Sequence, residues 1–86
     1  MNFESPWPDW WDWDLEFTPH LLKRMIDRQF SEVDLRAMLA DAREIEPEPD
    51  GRFRIVTQRD ARIWEVIVEP DFTDQVLLVI TAYPRD

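Results

Sequence analysis

The chain has 86 residues, 44 % of them hydrophobic, with five Trp, five Phe and no Cys. A domain of this length buries roughly two thirds of the surface its unfolded chain exposes, so its core must use large side chains, and disulfides or thiolate metal sites are excluded. Nineteen acids against ten Lys and Arg give a net charge of −9, a field that opposes polyanions unless basic residues gather locally.

The opening residues MNFESPWPDWWDWD show neither the basic start nor the apolar stretch of a signal peptide. No apolar run reaches the roughly 20 residues of a membrane helix. Together with the missing cysteines, this leads us to expect a cytoplasmic protein with no membrane partner. A single domain spans 1–86, with 1–10 an irregular, acidic, Trp-rich lead-in and 11–84 the core.

WDWDLEF (11–17) alternates Trp11, Trp13, Leu15 and Phe17 with Asp12, Asp14 and Glu16, the period-two pattern of a strand with one buried face. Thr18 then fits an N-cap with Pro19 at the first helical position, and the spacing predicts a helix over 18–29. Ser31 and Asp34 form a capping box for a second helix over 32–44, whose Leu35, Met38, Leu39 and Ala42 share a face. EPEPDG (46–51) reads as a loop. Three strands are expected beyond it, at 52–58, 62–69 and 75–83, the first two joined by a tight turn at RDAR and the last two stopped by Pro70 and Pro84. The last strand is apolar on both pleat faces and belongs inside the sheet. The predicted architecture is α+β in the order β-α-α-β-β-β, with both helices on one face of a mostly antiparallel four-stranded sheet.

This order, the pattern H-x3-R-x3-R at His20, Arg24 and Arg28, and the ending VITAY together resemble a bacterial family of unknown function grouped with the RelE- and BrnT-like toxins, small ribonucleases of toxin–antitoxin systems. The resemblance covers roughly residues 12–84. It implies RNA as a partner, an antitoxin-like protein as another, and a site on the open face of the sheet. Carried over, that site takes in His20, Arg24 and Arg28, the arginines of the second strand, and Thr81 and Tyr83 on the last. This chain is more acidic than such toxins tend to be, and its Trp-rich start has no counterpart in that pattern.

The chemistry can be stated residue by residue. RNA cleavage by its own 2′-hydroxyl needs a base, an acid and cations for the phosphorane charge. His20 suits either proton-transfer role, Tyr83 is the candidate second group if a neighbouring arginine lowers its pKa, and Glu65 is the fallback. Arg24, Arg28 and Arg54 are the phosphate-binding candidates, because guanidinium stays charged and offers a fork to phosphate oxygens. On a helical wheel, however, Leu21, Leu22, Met25, Ile26 and Phe30 fill one arc and the His20 stripe lies opposite, which is equally the solvated side of an ordinary helix.

Trp7 and Trp10 belong to no predicted element. Either they cover the mouth of the core, or, ringed by acids, they anchor a basic protein partner or a homodimer. Asp12, Asp14 and Glu16 share a strand face but diverge along it, and no metal or nucleotide motif is present, so no metal and no cofactor are expected. Two functions from different classes remain: a small metal-independent ribonuclease, or a non-catalytic module that binds a basic protein through the Trp-rich end.

Overall fold

A computed structural model of the protein describes residues 7–85. Five strands form one mixed sheet in the order β1-β5-β4-β3-β2, where β1 is Asp14–Phe17, β2 Glu44–Pro47, β3 Phe53–Arg59, β4 Arg62–Asp71 and β5 Val76–Pro84. Helices α1 (Pro19–Asp27) and α2 (Glu32–Ala40) lie between β1 and β2 in sequence. The α+β class and the two helices are as expected, but the sheet has five strands rather than four, and β1 pairs parallel to β5.

The extra strand takes in residue 44, expected as the end of the second helix, and residues 46 and 47, expected as the start of a loop. Glu44, Ile45, Glu46 and Pro47 pair antiparallel with Val56, Ile55, Arg54 and Phe53. As the outer strand, β2 has one row of backbone groups with no neighbour. There proline and acids are tolerated, and they also discourage another chain from adding on. The alternation at 11–17 forms a strand only from Asp14. Asp9–Asp12 instead turn as a short 3₁₀ segment whose Trp10 is 4 % exposed. Strand β4 runs through Pro70 to Asp71, past the point where β3 begins opposite Val68, so β4 there has a neighbour on one side only.

Each helix start is built as the sequence predicts. Leu21 N–H donates to Thr18 Oγ1 at 3.0 Å. Ser31 and Asp34 exchange the two hydrogen bonds of a capping box, at 2.8 and 3.2 Å. Both helices are shorter at their C-termini than the periodicity suggests. α1 closes with Gln29 left-handed (φ 54°), while the Gln29 and Phe30 N–H groups donate to Ile26 O and Met25 O at 3.3 and 3.0 Å. That is a Schellman stop made without glycine.

Cross-strand register sorts the sheet into two faces. Phe53, Ile55 and Thr57 on β3, Trp64, Val66 and Val68 on β4, Leu77, Val79 and Ala82 on β5, and Leu15 and Phe17 on β1 point to the helix side. There they meet Leu21, Phe30, Leu35, Met38 and Leu39 in one core cluster. The buried Thr57 hydroxyl is satisfied by donating to Met38 O. The core is closed at both ends by rings. Trp10 lies 5.0 Å from Phe53 at the end where β3 starts, and Phe30 lies edge-on to Trp64, 5.5 Å away, at the end where β3 turns into β4.

Among the described residues no helix is long and apolar enough to cross a membrane.

Candidate functional site

The open face of the sheet holds Tyr83 and Arg54. Tyr83 stands opposite Glu65 and donates its hydroxyl to Glu65 Oε1 at 3.2 Å. Glu65 also accepts from Arg85 Nε at 2.7 Å and lies 3.6 Å from Arg54 Nε. Arg54 donates to Glu46 and sits 3.9 Å from Glu48. Three carboxylates therefore surround one guanidinium. Its charge holds the Glu46 carboxyl below the usual carboxylate range, chiefly through their hydrogen bond. This setting makes Arg54 the counter-ion of an acidic patch.

Tyr83 is shifted the other way from what proton transfer near neutrality needs. Burial raises its pKa, and the adjacent Glu65 raises it further, against a smaller opposing pull from Arg54. The hydroxyl stays protonated and is held by Glu65. Thr81 shares this open face, opposite Ile67.

The His20 stripe is placed elsewhere. β1 ends opposite Val79, so the outer edge of β5 from Ile80 onward has no strand beside it. α1 covers that edge. Thr18 Oγ1 donates to Ile80 O at 2.8 Å, and Arg28 Nη1 donates to Ala82 O at 3.0 Å. Ile80 is the extra residue of a bulge in β5, since Thr81 pairs with Ile67 and Val79 with Val68. These two bonds set the roll of the helix. Leu21 is fully buried, Arg24, Met25 and Arg28 are partly buried along the strand, and Leu22 and Ile26 face outward at 48 % and 78 % exposure. The wheel expectation is thus corrected. Arg24 and Arg28 do not lie opposite the buried arc, because two edge carbonyls demand donors and Arg28 supplies one. Arg24 pairs with Asp27 at 3.6 Å. His20 stands exposed in the first turn, on a helix packed behind the sheet face that carries Tyr83 and Arg54.

A different set of cations does converge. Arg59 and Arg62 face each other across the β3–β4 turn, and alternation from Thr57 and Trp64 puts both on the helix side. Arg28 arrives there from the end of α1. With Asp60, Trp64 and Pro84 these arginines line a cleft of about 270 Å³. The Arg59 guanidinium lies 5.7 Å from the Trp64 ring centroid and 5.9 Å from that of Phe30. Two carboxylates lie beside it, Asp34 at 3.7 Å and Asp60 at 3.9 Å, and it donates to Gln29 O at 3.5 Å. Two rings flank it, and among the described residues its hydrogen bond is the long one to Gln29 O.

Of the expected phosphate ligands, then, Arg28 reaches this cleft, Arg24 does not line it, and Arg54 lies on the far face. Arg59, Arg62 and Trp64 were not among the expected site residues. The signal was present in RDAR: a two-residue hairpin turn forces its flanking residues to pair, so both arginines must share a face.

At the other end of the helix-covered face, Trp7 stacks on Trp11 at 5.0 Å, while Trp10 is part of the core. A surface there offers Trp7, Trp11 and Trp13 rather than Trp10. Among the described residues no group of His, Asp and Glu is placed to hold a metal ion.

No characterised protein and no solved structure matches the chain significantly. A family model does match, over residues 17–84, from the end of β1 through β5 and so without the Trp-rich start. By that match the chain belongs to the family described as a domain of unknown function, DUF4258.

Proposed function

We propose that the protein binds RNA through the Arg28–Arg59–Arg62 cleft. The observation that carries this reading is the convergence of three guanidinium groups beside Trp64 on a molecule of net charge −9. Guanidinium forks match phosphate oxygens, and a cationic pocket in an acidic protein confines an anion to one place. The likeness of the sequence to RelE- and BrnT-like ribonucleases supports RNA as the source of the phosphate.

The reading is one of binding. Cleavage needs an acid and a base on either side of one phosphate. Tyr83 gives its hydroxyl to Glu65 on the open face, and His20 stands on a helix behind the opposite face.

The test is retention of a mixed single-stranded RNA pool at low salt by wild type, Arg28→Ala, Arg62→Ala and His20→Ala. Wild type should bind and return the RNA intact. Each arginine variant should bind more weakly and lose roughly 0.7 from the slope of log affinity against log salt, the contribution of about one phosphate contact. Equal binding by both arginine variants would refute the cleft. RNA cut by wild type and spared by His20→Ala would instead establish a ribonuclease with its proton-transfer group on α1.

A further inference from the structure

The groove at the far end of the helix-covered face has no part in the RNA reading. It holds about 210 Å³ and is walled by Trp11, Trp13 and Leu15 on one side and by Leu39 and Ala40 of α2 on the other. Its shape follows from the 3₁₀ turn before β1. Trp10 drops into the core against Phe53, which leaves the two flanking indoles half-exposed. Trp11 is held by Trp7, and Trp13 is held edge-on by Phe72 at 5.4 Å. The walls are therefore braced before any ligand arrives.

Asp12 lines the groove and Asp9 shares its 3₁₀ turn, whereas Asp14 and Glu16 alternate with Leu15 and Phe17 and point to the open face. Arg36 also lines the groove, with its Nε 3.0 Å from Glu32 Oε2. A slot with indole walls and the Asp12 carboxylate at its rim suits a long cationic side chain. The methylene stem lies along Leu15, Leu39 and Ala40, and the head reaches the indole faces and Asp12. Arginine fits best, because its planar head stacks on indole and pairs with carboxylate at once.

We propose that this groove is a docking site for an arginine side chain presented by a basic segment of a protein partner. The site is independent of the arginine cleft, which lies at the opposite end of the same face.

The test uses the full chain, labelled with nitrogen-15, and a short blocked peptide rich in arginine and leucine. A control peptide carries glutamine in place of each arginine. The indole N–H resonances are assigned with Trp11→Phe and Trp13→Phe. Binding should shift the Trp11 and Trp13 indole signals, weaken as salt rises, and fall about tenfold in Ala40→Arg, where the new side chain fills the slot with like charge. Ala40 is exposed at the end of α2, so the change leaves the core alone. Asp12→Asn, a second and milder variant, should weaken binding a few-fold. Equal binding by the glutamine peptide, shifts confined to residues of the open acidic face, or no shift at all would each overturn the proposal.

Discussion

Ala61 shows how a single residue can work against its own turn. Asp60 and Ala61 have φ of 52° and 64°, the pair of left-handed conformations that defines the type I′ hairpin joining β3 to β4. Aspartate tolerates that region, but alanine pays for its Cβ there. Ala61→Gly should therefore stabilise the protein by about 0.5–1 kcal/mol, net of the greater freedom of glycine in the unfolded chain, as read by urea unfolding. Tyr83 gives a second check at this scale, since it is the single tyrosine of the chain and its phenolate absorbance can be titrated directly. Its midpoint should lie above the ordinary value near 10, because burial and Glu65 both favour the neutral form. The linkage follows in sign. A raised folded-state pKa adds stability that is complete below the unfolded value and is lost as pH rises through the folded one. Glu65→Gln should bring the midpoint down, and an unchanged midpoint would mean that Glu65 has no part in the shift. The identity of Tyr83 was legible in the sequence, but its partner was not. Which residue stands opposite it depends on the β4–β5 register, and a bulge at Ile80 resets that register.

The elements were legible wherever a local rule was strong. Thr18-Pro19 and Ser31-x-x-Asp34 mark both helix starts because capping chemistry lies within four residues. Ser31→Ala should cost about 1 kcal/mol, measured by thermal unfolding, since it removes the acceptor for Asp34 N–H. Where pairing was long-range, the reading failed. Nothing local in EIEP announces a strand. It becomes one because Phe53–Val56 present a free edge to it, and its acids then serve the exposed side of that edge. The roll of α1 was lost for the same reason. A wheel ranks side chains by hydropathy and cannot know that Ala82 O and Ile80 O of a strand far along the chain need donors. Arg28→Met tests this. It keeps the apolar stem and removes the donor, leaving an unsatisfied carbonyl at the β5 edge, and should destabilise by about 1–3 kcal/mol. A change within about 0.3 kcal/mol would show that water replaces the guanidinium without penalty.

At the scale of the whole molecule, the helix-covered face is closed at each end by aromatic rings, and each end carries its own candidate site. Phe30 and Trp64 brace Arg59 at one end, while Trp10 and Phe53 hold the tryptophan turn at the other. Removing Trp10 should therefore do more than open a surface. Trp10→Ala should cost about 3–5 kcal/mol, a large share of the roughly 5–15 kcal/mol that holds a small domain together, and calorimetry should find it marginally folded or unfolded. Charge divides the molecule as well. The open face gathers Glu46, Glu48 and Glu65 around Arg54, and the hairpin end gathers Arg28, Arg59 and Arg62. Composition reveals the total of −9 but not this partition, because sequence neighbours such as Trp64 and Glu65 point to opposite faces.

In the proposed function the hairpin end, not the open face, receives RNA phosphate. The most direct measurement is the salt dependence of single-stranded RNA affinity for wild type, Arg62→Ala and Arg54→Ala, compared under identical conditions. Arg62→Ala should show a weaker affinity and a shallower slope, by roughly 0.7, with Arg54→Ala leaving the slope unchanged. A slope that falls in Arg54→Ala and holds in Arg62→Ala would contradict it and move the site to the open face.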